Sequence, residues 1–217
     1  MKENKLLLLL TPLLLIAGFL IYRAVAIPDL EPTTDYYSQG QALIRQGKIT
    51  EAKQVLSLGK EKYPVDGRYD FALGNIYRQE KDMKNALLYY DQAIKKTPSL
   101  PEAYNNIAAI FMLDNRLDEA LNTINDGLAK QPDFKDLQFK KGQILFMKGT
   151  YSDAIQVLQP LTAVPEYVDA YRFIGLSYVK DGKREQAAEA LQLYLQKVQA
   201  TTQGSQEIEK LLQELKK

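Results

Sequence analysis

With 217 residues the chain is long enough for one or two ordinary domains or for a stack of short repeats, and its 46% hydrophobic and 25% charged residues are the proportions of a folded protein. The 28 basic and 27 acidic residues leave a formal net charge of +1, so no broad field attracts a phosphate backbone, and nucleic acid is not expected as a partner. Cysteine and histidine are both absent, which excludes typical zinc sites, Ser-His-Asp triads, Cys-His pairs, disulfide frameworks and cysteine lipidation.

In chain order the first element is an uncharged apolar run, Leu6 to Tyr22. At ~1.5 Å per residue these residues make a helix roughly 25 Å long, and extension past a snorkelling Arg23 to Ile27 brings it to about 33 Å, enough for a ~30 Å hydrocarbon core. Lys2 and Lys5 precede the run, whereas Arg23 alone and then Asp29, Glu31 and Asp35 follow it. Residues 1–27 are therefore expected to be a transmembrane signal-anchor, with the N-terminus cytoplasmic and the remainder extracytoplasmic, in the periplasm if the source is bacterial. The small-x-small triplet Ala24-Val25-Ala26 keeps a cleaved signal peptide open as the alternative. Residues 28–32, with Pro28 and Pro32, read as a short stiff linker.

Beyond the linker the chain is periodic. Gly40, Gly74, Ala108, Gly142 and Gly175 are spaced by 34, 34, 34 and 33 residues, and Ala52, Ala86, Ala120, Ala154 and Ala187 repeat the same four intervals. Pro64, Pro98, Pro132 and Pro165 form a third row on this period. Tyr36, Tyr104 and Tyr171 open three first helices, and Tyr77, Phe111 and Tyr178 fall seven residues later in the second, third and fifth units. A period of 34 carrying these residues resembles the tetratricopeptide repeat, and the resemblance covers Thr33 to about Thr201. It implies an all-α fold: a right-handed superhelical solenoid of helix-turn-helix units, here preceded by one transmembrane helix. The five units are 33–66, 67–100, 101–134, 135–167 and 168–201. Units one and four fit least well, because Gln39 and Lys141 occupy positions that are usually apolar and Pro160 interrupts a second helix.

The residue types have physical reasons independent of the family. The Gly or Ala of each first helix and the Ala of the second are small because the two antiparallel helices are expected to approach closely where those residues meet. Gly47, Asn115, Gly149 and Gly182 enter the left-handed conformation cheaply and can end the first helices, and Lys81 is the exception. Thr50, Asp118 and Ser152 stand where second helices are expected to begin and where their side chains could cap free N–H groups. Proline ends each unit, because it cannot continue a helix but starts the next one well. Residues 202–217 read as a terminal capping helix, with Ile208, Leu211, Leu212 and Leu215 on one face.

The resemblance further implies a concave groove lined by the first helices, used to hold other polypeptides. Positions two, five, nine and twelve of each unit share one helical face. They are Arg68, Phe71, Asn75 and Arg78; Glu102, Asn105, Ala109 and Met112; Asp136, Phe139, Gln143 and Phe146; and Asp169, Arg172, Leu176 and Val179. This mixture suits an amphipathic helix or an extended peptide. Some tetratricopeptide proteins clamp a C-terminal carboxylate between lysines and asparagines. Asn75, Asn106 and Lys140 match that pattern, but Phe71 and Asp136 stand where two clamp lysines would be, so tail clamping is not expected. No catalytic constellation, metal-ligand cluster or phosphate loop emerges, and no enzyme activity, cofactor, metal or small-molecule substrate is expected. The expected role is a membrane-anchored scaffold that binds proteins and supports assembly of an envelope complex. A secreted binding module, or a stoichiometric subunit of a membrane machine, remain open at this point.

Overall fold

The computed structural model describes residues 35–198 and 203–215. The expected anchor (1–27) and linker (28–32) lie outside the described residues, among which no helix is long and apolar enough to cross a membrane. The described residues are helical, with no strand among them. The chain divides into two compact units, Met1–Pro64 and Val65–Lys217.

In the first, α1 (Tyr36–Arg45) and α2 (Ile49–Lys62) form one helix pair. Asp35 starts α1 by accepting hydrogen bonds from the backbone N–H groups of Tyr37 at 3.1 Å and Ser38 at 3.2 Å. Gly47, at φ +75°, turns the chain, and Leu56 of α2 fills the space beside Gly40 of α1.

The second unit repeats this pair. Its helices are α3 (Gly67–Gln79), α4 (Met83–Lys96), α5 (Pro101–Leu113), α6 (Leu117–Lys130), α7 (Lys135–Met147), α8 (Tyr151–Leu158), α9 (Asp169–Lys180), α10 (Arg184–Lys197) and α11 (Gln203–Leu215). Each first helix ends on a left-handed residue: Lys81, Asn115, Gly149 or Gly182. The next N–H then reaches back to a carbonyl of the helix that is ending, as Asp82 does to Tyr77 at 2.9 Å and Arg116 to Phe111 at 2.8 Å. Lys81 adopts this conformation at φ 64° although its side chain opposes it. The exception in the sequence is therefore one of residue type and not of backbone shape.

This two-residue connection also fixes where the second helices start, and there the expected caps are misplaced. The N-cap residues are Lys48, Arg116 and Thr150, so Thr50, Asp118 and Ser152 lie inside the first turn. Asp118 instead pairs with Lys148 of the following unit. Among these turns the side-chain cap is supplied by Asp82, which accepts from the Asn85 N–H at 3.1 Å.

The small residues act across the pair in a way that the alanine and glycine rows alone do not reveal. Glycines 74, 142 and 175 each face a large residue sixteen positions on: Tyr90, Leu158 and Leu191. Leu56, Tyr90, Ile124, Leu158 and Leu191 are all fully buried and share the 34, 34, 34, 33 spacing. At the four glycines the knob inserts where a Cβ would otherwise stand, whereas Ile124 packs in one cluster with Ala108.

Buried clusters then join neighbours in sequence. Tyr90 and Ala86 pack with Ile107 and Ile110; Ala120 and Ile124 pack with Leu137 and Ile144; Leu158 and Leu161 pack with Ala170 and Ile174; and Leu191 and Tyr194 pack with Ile208 and Leu212 of α11. The core is thus a chain of nearest-neighbour seams, the energetic signature of a solenoid. Unit four breaks the regularity: α8 stops at Leu158, and Pro160, which lacks an N–H, leads into the 3-10 segments Gln159–Ala163 and Pro165–Tyr167. Successive first helices touch, α5 with α7 and α7 with α9, while successive second helices make no comparable contact among the described residues. The first helices therefore lie on the inside of the curve of this unit.

Candidate partner-binding groove

Four first helices supply the inner face of the second unit, and its chemistry changes from one end to the other. On α3, Arg68 is exposed at the helix start and forks onto Asp66, with Nη2 to Oδ2 at 2.7 Å and Nε to Oδ1 at 3.0 Å. That partner holds the Asp66 carboxyl below the ordinary carboxylate range. Phe71 is half-buried with its ring 5.8 Å from that of Tyr90, and Arg78 is exposed.

Asn75 belongs to a network that crosses from α3 to α5. Its Oδ1 accepts from the Tyr90 hydroxyl at 2.7 Å and from Asn106 Nδ2 at 2.9 Å, and Asn106 Nδ2 also lies 3.2 Å from the Tyr90 oxygen. Tyr90 is fully buried, and burial raises its phenol above the ordinary value while the Arg78 charge opposes the rise. A knob of the core thus reaches through the helix pair and fixes two amides on the inner face.

On α5 and α7 the neighbouring positions are less satisfied. Asn105 Oδ1 and Gln143 Oε1 are buried acceptors with no hydrogen-bond partner. Glu102 is exposed, Ala109 is half-buried, and Met112 lies half-buried against the seam formed by Tyr104, Ala108 and Ile144. Lys140 is partly buried, and desolvation holds its ammonium below the ordinary lysine value against the opposing charge of Asp136. Asp136 accepts a hydrogen bond from the Tyr167 hydroxyl.

Toward unit five the residues of the row are half-buried and pack on aromatic and aliphatic neighbours. Phe139 meets Tyr167 at 5.5 Å and Phe173 at 5.9 Å, and Phe146 meets Phe173 at 5.6 Å and Tyr151 at 5.8 Å. These two rings form one aromatic cluster and do not stand alone in a groove. Arg172 pairs with Asp169 at 2.7 Å and stacks over Phe173 at 4.7 Å. Leu176 and Val179 pack into the seam under α11. On α3, α5 and α7 the face presents half-buried Phe71, Asn75, Asn105, Ala109, Met112 and Gln143 and exposed Arg78. Tyr90, Phe173 and Tyr167 were missing from the sequence-based row, although Tyr90 lies on the same 34-residue period as the other knobs.

The fold and this face define a helical solenoid of tetratricopeptide type. Tetratricopeptide-repeat family models match residues 74–115 and 111–163, so the chain carries these repeats. Among curated proteins, Hsp70-Hsp90 organizing protein 2 of Arabidopsis thaliana is 26% identical over 138 residues, which are 60% of this chain and 24% of that protein. Photosystem I assembly protein Ycf3 of Rippkaea orientalis is 34% identical over 79 residues, 35% of this chain and 46% of that one. The chain thus spans about a quarter to a half of the length of these relatives. Among solved structures, Pseudomonas aeruginosa pilF has a TM-score of 0.70 at 16% identity, covering 83% of this chain and 82% of that chain. YrrB, described as a TPR protein with an unusual peptide-binding site, has a TM-score of 0.66 at 16% identity, covering 82% of this chain and 90% of that chain. At these identities the structural likenesses establish the fold.

Proposed function

We propose that this chain is a membrane-anchored scaffold that holds a segment of another polypeptide against the first helices of its second unit and so supports assembly of a membrane or envelope complex. The observation that carries the reading is the inner face of α3, α5 and α7, which presents half-buried Phe71 and Met112 together with the half-buried amides Asn75, Asn105 and Gln143 and exposed Arg78. A bound segment can cover the methionine and phenylalanine with its apolar side chains and meet the amides and the guanidinium with its own polar groups. Carboxylate clamping is disfavoured, since Asn75 and Asn106 already hydrogen-bond to each other and an aspartate stands beside Lys140. The names of the relatives, photosystem I assembly protein and Hsp70-Hsp90 organizing protein, fit a holding role. Attachment through Leu6–Ile27, with the repeats on the extracytoplasmic side, follows from the apolar run and its flanking charges.

The test is capture of partners by the full chain from detergent-solubilised membranes, with Asn105→Ala, Met112→Ala and the pair combined. Expected is a loss of at least ~1–2 kcal/mol of affinity in the combined variant, five- to thirty-fold, with helicity unchanged. Full capture by a folded combined variant would refute the groove.

A further inference from the structure

The outer surface of the second unit carries a cavity that the groove does not use. It has a volume of about 240 Å³ and lies between the second helices α4 and α6. Leu87, Asp91 and Ile94 form one wall, Thr123 and Asp126 the other, and Tyr104, Ile107 and Phe111 of α5 the floor. Ile94 and Phe111 each pack against two neighbouring seams, so the cavity marks the line where those seams meet without closing.

The repeat architecture alone does not dictate its chemistry. Two units further on, the corresponding crevice has a like floor, Tyr171, Ile174 and Tyr178, and Ala190 and Leu193 beside Gln186 and Glu189 on one wall, but Gln159 and Thr162 stand on the other where Asp91 and Ile94 stand here. In unit four the floor positions hold Gln138, Lys141 and Leu145. Apolar walls on both the floor and the α4 side are therefore a property of this crevice and not of every repeat.

Its electrostatics are one-sided. Asp91 is paired with Lys95 at 2.6 Å, and Arg116, which lies 4.4 Å from the Phe111 ring centre, is held by Glu119 at 2.6 Å. Those charges offset each other. Asp126, exposed on the rim, has no ion-pair partner among the described residues, and after burial its charge is the second cause holding the Tyr104 phenol above its ordinary value. A greasy recess with one uncompensated carboxylate at its lip is complementary to an apolar side chain that carries a cation beside it. The volume is below the ~300–1,000 Å³ of sites for drug-sized ligands and suits one or two side chains.

We propose that this cavity is a second protein-binding site, separate from the inner groove, which takes an apolar side chain of a partner segment bearing a lysine or arginine about one helical turn away. Rim charges of this kind add modestly to affinity and more to selection, by favouring cationic segments and repelling acidic ones.

The test uses the full chain with methyl labels on leucine and isoleucine and two blocked peptides, Lys-Ala-Ala-Phe-Ala-Ala-Lys and its twin with glutamate in place of lysine. The lysine peptide is expected to shift the methyl signals of Leu87, Ile94 and Ile107, with Asp126→Asn weakening binding roughly two- to fivefold. Thr123→Phe, which fills the recess from its wall, is expected to abolish the shifts while circular dichroism stays helical. Equal binding of the glutamate peptide, shifts unaffected by Thr123→Phe in a folded variant, or no shift of these three residues at millimolar peptide would each overturn the proposal. The inner groove stands or falls separately, since its variants touch none of these residues.

Discussion

The knob-and-gap reading of the helix pair makes a prediction that can be worked from one contact. A Cβ on Gly142 would stand 2.4 Å from Cγ and Cδ2 of Leu158, where carbon pairs rest at ~3.5–4.0 Å. Gly142→Ala therefore forces the helices apart or Leu158 off its rotamer, at ~1–3 kcal/mol. Alanine's better helix propensity returns ~1 kcal/mol, so the net loss is about 0–2 kcal/mol. Leu158 is fully buried, and Leu158→Ala should cost ~2–5 kcal/mol by lost transfer energy and cavity formation. Combined, the new methyl group no longer clashes and fills part of the space that the leucine vacated. The double variant should be more stable than the sum of the single losses predicts, by ~1–2 kcal/mol. Urea and thermal denaturation of the full chain measure all four corners of the cycle, and for a chain of this size each 1 kcal/mol moves Tm by roughly 2–4 °C. Additivity within ~0.5 kcal/mol would show that these residues do not meet and would refute the pairing.

Other consequences are shorter to state. Lys81→Gly should stabilise by ~0.5–1 kcal/mol in urea titration, because the left-handed turn penalises a Cβ, while the same change at Lys84 inside α4 should destabilise. The Tyr167 phenol is pushed up to about 12 by burial and by its hydrogen bond to Asp136. A raised folded value means a contribution fully present below the ordinary 10.0 and lost as pH climbs through about 12, so Tyr167→Phe should flatten the fall of stability in that window. Phe146→Ala should cost ~3–5 kcal/mol in thermal unfolding, as a ring shared by Phe173 and Tyr151. Met112→Ala should cost less stability than Phe146→Ala and more binding. Protease added to spheroplasts should remove the repeats, and survival until the inner membrane breaks would reverse the proposed orientation.

Much of the helix pattern was legible because it depends on local chemistry repeated at a fixed period. The left-handed turns were legible where glycine or asparagine stands, whereas Lys81, set apart as the exception, adopts the same backbone. What failed were features set by a neighbour in space. The second helices begin two residues earlier than Thr50, Asp118 and Ser152 suggest, because the short turn dictates the start. The glycines were matched to the alanines, whereas their actual partners are Tyr90, Leu158 and Leu191, a row visible at the same spacing. The groove row was read as one continuous face. Phe139 and Phe146 have aromatic neighbours that the row did not show, Tyr167 from the irregular segment after Pro160 and Phe173 of α9, and Leu176 and Val179 pack against the seam that includes Ile208 and Leu212 of α11.

The central claim is that partners lie along the inner face of α3, α5 and α7. Photo-crosslinking in intact membranes tests it most directly, with a benzoylphenylalanine introduced at Arg78 or Ala109 on that face and at Gln192 on α10 as the outer-surface control. The account predicts one discrete adduct of the same mass from both inner positions, lost in the combined Asn105→Ala and Met112→Ala variant, and none from Gln192. An adduct from Gln192 with silence at Arg78 and Ala109 would contradict it.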